Sequence, residues 1–371
     1  MRVRELQLHH FRNHQDTRVH LGPGVTVFVG SNGQGKTNLI EAIGYLAYQS
    51  SHRVSADKSL VEANEDQAVI RAVVENDGRR VDIACEINAA GSNRAKVGGK
   101  AVPVGQLAGW LRAVLFTPED LAVVRGEPAG RRRYLDQTMS ALRPSTVSLM
   151  SDYDRVVKQR NALLKSNRGR PTPELENTLR GWDERLIELA VGYTTARQEF
   201  IRQLSPVVAE VYAVIAPGNE VGLSLETSSG DVLPDASELA AWYAEALSEA
   251  RSDEWDRGMT VVGPHRDDVT IALNGLPART HSSQGEAWSL ALALRMAQAV
   301  LFRRESHSGD PVMILDDVFA ELDRARRATL ERLVADYEQV LVTAAVWEDI
   351  PESLREVAFT VDAGEVSPRG R

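Results

Sequence analysis

The sequence predicts an α/β protein, a mixed or parallel sheet with helices, carrying an inserted, mainly helical lobe. Three observations predict it. Short β-branched runs alternate with helical stretches near both ends of the chain. The segment between them carries a helical repeat. The chain has 371 residues, 43% of them apolar, which is enough for a core and about two lobes.

Taken in order, Val25 to Val29 is a short apolar run between Gly24 and Gly30, which predicts a buried strand. A helix is predicted from Lys36, with Leu39, Ile40, Ile43 and Leu46 on one face. Val69 to Val74 and Val81 to Ile87 read as strands, and the glycine-rich stretch Ala90 to Gly99 reads as a turn region. Val114 to Phe116 is a further strand, stopped by Pro118. The middle changes character. A helix is predicted over Ser145 to Ser166, and Asn167 to Pro171 ends it. Leu175, Leu179, Trp182, Leu186, Leu189, Tyr193, Ala196 and Phe200 then repeat at alternating spacings of four and three. That seam fits an antiparallel helical arm or the core of a compact helical lobe. After Trp255 the α/β pattern returns. Pro311 to Leu315 and Gln339 to Thr343 are strands, with a helix over Arg324 to Tyr337 between them. The expected division is therefore 1–125 for the first part of an α/β lobe, 126–255 for the helical insertion, and 256–371 for the second part of the α/β lobe.

Composition narrows the function class. A single cysteine, Cys85, allows no intrachain disulfide and fits a reducing cytosol. The longest apolar stretch, Ser289 to Phe302, contains Arg295 and is too short to span a bilayer, so a buried helix and a cytoplasmic protein are expected. The net charge is −9, but it is unevenly spread. Residues 125–170 hold 11 Lys/Arg against 4 Asp/Glu, while residues 310–360 hold 5 against 12. A basic segment on an acidic chain fits either a DNA contact or a solvated helical face. Arg131, Arg132, Arg133, Lys158 and Arg160 are its candidate DNA-binding residues.

Three motifs carry chemistry. Gly30, Ser31, Asn32, Gly33, Gln34, Gly35, Lys36 and Thr37 match the phosphate-binding pattern G-x-x-x-x-G-K-T, here between a predicted strand and a predicted helix. The glycines let backbone N–H groups curl around an anion, and the helix that follows adds its positive end. Lys36 would reach the outer phosphates of ATP, and the Thr37 hydroxyl would ligate Mg²⁺. Met313 to Asp317 ends an apolar strand in two carboxylates. Asp316 is the candidate Mg²⁺ ligand, and Asp317 the candidate catalytic group that orients or deprotonates the attacking water. Ser283, Gln284, Gly285 and Glu286 open a helix with the spacing of a capping box, and the same exposed helix start would suit a phosphate.

The order of these motifs resembles the ABC-type ATPase heads of SMC-like proteins. Within that group, Phe11-Arg12-Asn13, Phe116 to Leu121, Arg131 to Asp136, Lys158 to Lys165, Gly263 to Asp267 and Asp316-Asp317 followed by Glu321-Leu322-Asp323 are similar to the RecF family. The resemblance covers most of the chain. It implies a slow ATPase that dimerises on ATP and binds single-stranded, gapped and duplex DNA. It further implies work with RecR and RecO in loading RecA, in recombinational repair, replication and SOS induction. It implies a compact helical lobe with no long coiled coil. In such heads ATP is sandwiched, so Ser283 and Gly285 would meet the γ-phosphate bound to a partner copy. Asp323 would lie in the D-loop and Thr343 would sense the γ-phosphate. Thr117 to Asp120 is the expected counterpart of the usual Q-loop. Gln284 replaces a glycine of the transporter signature, and Asp317 is one methylene shorter than the transporters' glutamate.

Two rival readings remain at this point. An ABC ATPase subunit energising a membrane transporter shares the motifs but leaves the long insertion and the basic segment without a role. A P-loop kinase acting on a small molecule would need no signature loop. His9, His10 and His14 are expected to be surface histidines rather than metal ligands. His265 is expected either to touch DNA or nucleotide or to be a buried, hydrogen-bonded histidine.

Overall fold

The computed structural model describes residues 1–227, 231–305 and 309–370. Its first elements are β1 (Arg2–Phe11), β2 (His14–His20), β3 (Gly24–Val29), α1 (Lys36–Tyr48), β4 (Gln67–Asn76), β5 (Arg79–Asn88), β6 (Arg94–Val97), β7 (Lys100–Val102) and β8 (Ala113–Phe116). The middle holds α2 (Leu121–Arg125), α3 (Pro128–Leu142), α4 (Ser145–Ser166), α5 (Pro173–Ile215), β9 (Val221–Glu226), α6 (Leu239–Glu249), α7 (Arg251–Arg257), β10 (Asp268–Leu273), β11 (Leu276–Pro277) and α8 (Ala278–His281). Then come α9 (Gln284–Glu305), β12 (Val312–Asp316), α10 (Val318–Glu321), α11 (Arg324–Val334), β13 (Gln339–Ala344), β14 (Val357–Asp362) and β15 (Glu365–Pro368).

Two compact units emerge. The first comprises Met1–Leu121, Glu210–Pro217 and Trp288–Arg371. It contains an antiparallel sheet in the order β2-β1-β4-β5-β6-β7 and a second sheet in the order β15-β14-β3-β13-β12-β8. Strands β8, β12, β13, β3 and β14 of the second sheet run parallel, and β15 turns back antiparallel. Helix α1 packs on strands of both sheets. Its Leu39, Ile40, Ile43 and Leu46 are therefore fully buried, together with Ala42 and Tyr45. At about 1.5–3 kcal/mol for each large side chain, that burial fixes where the helix begins, and so where the preceding loop is held. The stretch 90–99 is not wholly turn: β6 occupies Arg94–Val97, and Gly98-Gly99 is the bend of the β6–β7 hairpin.

The second unit comprises Ala122–Ala209 and Gly218–Ala287. Residues 256–287, expected in the returning α/β lobe, are part of this unit instead, because β10 pairs with β9 along its whole length and α3 packs on β10. In α5 the expected seam is buried at Leu179, Leu186, Leu189, Tyr193 and Phe200. Asp183, Ala190, Thr194 and Arg197 are buried as well. The inward face is thus wider than a two-helix seam, as a compact lobe requires.

Candidate functional site

The parallel sheet dictates the site. Strand β3 lies between β13 and β14, with Val29 opposite Ala344 on one side and Thr360 on the other. The chain leaves β3 at Gly30, where any Cβ would collide with the carbonyl oxygen of Val361. It re-enters regular structure at α1 through Gly35, whose φ of 115° favours glycine. Between them Ser31, Asn32 and Gly33 are exposed. Lys36 is 5% exposed, and its ammonium donates to the carbonyl oxygens of Gly30 (2.6 Å) and Ser31 (3.1 Å). Burial lowers the pKa of Lys36, and the carboxylates of Asp317 and Asp316 oppose that shift. The lysine is thus a charge stored inside its own loop on ligands that an anion can replace.

Strands β12 and β13 are parallel neighbours, with Asp316 opposite Thr343. The Thr343 hydroxyl donates to Oδ1 of Asp316 at 2.5 Å and accepts from the Asp317 N–H at 3.0 Å. The Thr37 hydroxyl donates to the same Oδ1 at 3.1 Å. Two hydroxyls, one from the loop and one from the central strand, thus meet on a single carboxylate oxygen. Burial raises the Asp316 carboxyl to about 6, and the two hydroxyls pull it back down. The set fits a small hard cation: Thr37 and Asp316 offer two oxygens, and Mg²⁺ commonly takes only one or two protein ligands beside water and phosphate. Asp317 follows in the left-handed conformation, φ 54°, at the N-cap position of α10, with no side-chain hydrogen bond to that helix.

A brace lies behind the loop. Gln34 accepts through its backbone oxygen from Asn13 Nδ2 (3.0 Å) and from the Gly364 N–H (2.9 Å), and its side-chain Oε1 accepts from the Ala363 N–H (2.6 Å). His14 is fully buried, not the surface residue expected from the sequence. Its Nε2 lies 3.0 Å from the Gly35 carbonyl oxygen and its Nδ1 lies 2.8 Å from that of Gly364. Nothing local signals this, because β1, β2 and the β14–β15 hairpin must pair before His14 meets the loop. Asn13 had a signal, the Phe11-Arg12-Asn13 motif, but the motif alone does not say what it touches.

The remaining candidates divide. Ser283 and Glu286 form a reciprocal capping box: the Ser283 N–H donates to Glu286 Oε2 at 2.7 Å, and the Glu286 N–H donates to Ser283 Oγ at 3.3 Å. Ser283 and Gln284 are exposed at that helix start, and Gly285 is half-buried. Asp323 caps α11 by accepting from the Arg326 N–H at 2.9 Å, and is itself exposed. Thr117 and Asp120 form a capping box after β8, and Asp120 pairs with Arg295 at 2.6 Å.

The basic segment requires correction. Arg131 is 4% exposed and holds both carboxylate oxygens of Asp268, at 2.8 and 2.7 Å. Arg160 is wholly buried between Asp183 and Glu254. Arg132 is half-buried and donates to the carbonyl oxygen of Asp267. Arg131 and Arg160 have no free face for a DNA phosphate; they hold their unit together. Arg133 and Lys158 are exposed. His265 is hydrogen-bonded to the Tyr153 hydroxyl at 2.6 Å and to the Thr260 carbonyl oxygen at 3.2 Å. Burial pushes it down to about 4, so it is a neutral packing residue.

Residues 2–362 match the family model of the RecF/RecN/SMC N-terminal domain. The chain belongs to the RecF family. A relative from Clavibacter sepedonicus, named DNA replication and repair protein RecF, is 46% identical over 99% of this chain and 95% of its own length. One of the same name from Streptomyces avermitilis is 44% identical, with 99% of each chain covered. A solved structure described as the recombination mediator protein RecF-ATPrS in the RecFOR pathway is 27% identical, covers 100% of this chain and 98% of its own, and superposes with a TM-score of 0.90. The RecF-family fold is shared more distantly with an SMC head bound to the C-terminal winged-helix domain of ScpA, at TM-score 0.54 and 15% identity. These relatives lend no support to a transporter subunit. No helix among the described residues is long and apolar enough to cross a membrane.

Proposed function

We propose that this chain is an ATP-dependent DNA-binding protein of recombinational repair, replication and SOS induction. The observation that carries the reading is the convergence of Thr37 and Thr343 on Asp316 beside the Lys36 loop. ATP places its phosphates against the N–H groups of Gly30 to Thr37, and Lys36 exchanges its two backbone carbonyls for phosphate oxygens. Thr37 and Asp316 hold Mg²⁺, which when bound neutralises charge on the phosphates. Asp317 orients the attacking water, and Thr343, bonded to both aspartates, reports on the γ-phosphate. Ser283, Gln284, Gly285 and Glu286 supply an N-terminal helix start to the γ-phosphate of a partner copy, with Asp323 in the facing D-loop. ATP thereby closes a homodimer on single-stranded, gapped or duplex DNA. Hydrolysis is slow, and the closed state assists RecA loading with RecO and RecR in the cytoplasm. The exposed Arg133 and Lys158 are the DNA contacts retained from the basic segment.

Sedimentation of the Asp317→Asn protein with ATP and gapped DNA tests this. The expected outcome is a dimer that outlives the wild-type dimer, with ATP affinity unchanged. A protein that stays monomeric at saturating ATP and DNA contradicts the proposal.

A further inference from the structure

The second unit contains a cavity of about 430 Å³ that plays no part in the nucleotide chemistry. Its walls include Glu245 and Glu249 of α6, Trp242, Val261, Val262 and Asp267. None of the described residues that line it is basic. Glu245 and Glu249 are exposed and one helical turn apart, so their carboxylates share a face. Trp242 is half-buried, its ring edge-on to Tyr243 with centroids 5.0 Å apart.

Asp267 sets this cavity apart from an ordinary acidic surface. It is 2% exposed, and its Oδ2 is buried with no hydrogen-bond partner. A buried carboxylate oxygen without a donor is costly, and native structures rarely keep one without use. Burial raises its carboxyl to about 7, although Arg197 and Arg132 pull it down. Neither arginine donates to that oxygen. Arg197 donates to Asp136, to the Pro264 carbonyl oxygen and to Tyr193, and Arg132 donates to the backbone oxygen of Asp267 rather than to its side chain.

We propose that this cavity receives the guanidinium of an arginine side chain carried by a partner protein. A guanidinium supplies in one planar group what the walls lack: several N–H donors for Asp267, Glu245 and Glu249, a positive charge, and a flat face for the Trp242 ring. The same walls repel nucleic-acid phosphate, so charge complementarity selects a basic protein segment over DNA. The site lies outside the ATP-binding loop and does not depend on the proposed function.

The test uses the full-length protein labelled with ¹⁵N, at pH 8. An acetylated, amidated Gly-Arg-Gly peptide is titrated while the indole N–H signal of Trp242, assigned with Trp242→Phe, is followed. A saturable shift is expected with the arginine peptide and none with its citrulline counterpart, which keeps the shape but not the charge. The Glu245→Gln/Glu249→Gln variant, altered only at exposed positions, is expected to weaken binding about tenfold while its ATP affinity stays unchanged. Asp267→Asn is expected to do at least as much if it folds. An equal shift with citrulline, an equal affinity for the lysine peptide, a shift caused by a single-stranded oligonucleotide, or an unchanged affinity in the double glutamine variant each overturns the assignment.

Discussion

Lys36 and Arg160 are both cations, both almost wholly inside the protein, and they do opposite things. Lys36 rests on two backbone carbonyls of its own loop, partners that carry no charge and can be given up to phosphate. Arg160 is bound by Asp183 and by both oxygens of Glu254, with Thr260 as a further acceptor. Its charge is fully matched. A buried cation on weak partners is poised for a ligand, and one on strong partners is architecture. The comparison explains why a basic stretch of sequence is a poor guide to a DNA surface: its most enclosed arginines answer to carboxylates 23 or more residues away.

The comparison is most easily broken at Lys36. Lys36→Ala would remove the proposed charge-assisted contacts to phosphate, worth about 1.5–3 kcal/mol each, so ATP affinity measured by calorimetry is expected to fall beyond detection. The fold should be little affected, because the lysine's present partners are uncharged carbonyls of its own loop. Arg160→Ala should do the reverse. Leaving Glu254 buried without its partner costs about 3–5 kcal/mol, read as a lower midpoint in chemical unfolding, with ATP affinity retained in the folded fraction. The exposed pair gives a smaller effect. Reversing Arg133 and Lys158 to Glu should leave stability within about 0.5 kcal/mol and lower the slope of DNA affinity against salt by about one for each phosphate no longer neutralised. An unchanged slope would move the DNA surface elsewhere.

A further effect concerns pH. The Asp267 carboxyl is raised in the folded chain to about 7 from an ordinary 3.8. Its contribution to stability is therefore complete below about pH 4 and is lost as the pH rises through 7. Asp267→Asn should flatten that part of the stability profile, which unfolding midpoints from pH 5 to 8 would register.

What the sequence makes legible follows the range of the interactions. The loop Gly30–Thr37, the strand ending in Asp316-Asp317 and the helix start at Ser283 are local patterns. Their chemistry can be read without the fold, because the residues concerned are neighbours in the chain. The meeting of Thr37, Asp316 and Thr343 also follows once the strands are placed side by side. His14 stays hidden, since its partners at Gly35 and Gly364 come from two separate segments. Strand β6 is masked by the glycines of its own hairpin, and the 255 boundary by a β9–β10 pairing that joins residues on either side of it. Arg131 and Arg160 mislead because composition counts charge and cannot count burial.

The brace behind the phosphate loop has a consequence for synthesis. Gln34 is made well before its partner: the N–H that meets its side chain belongs to Ala363, 329 residues later. The strands on either side of β3, β13 and β14, also emerge from the ribosome long after β3 itself. A nascent chain therefore exposes its glycine-rich segment long before that segment can take shape. Competence for nucleotide waits on β13, β14 and Ala363, so a product interrupted before them has no braced loop.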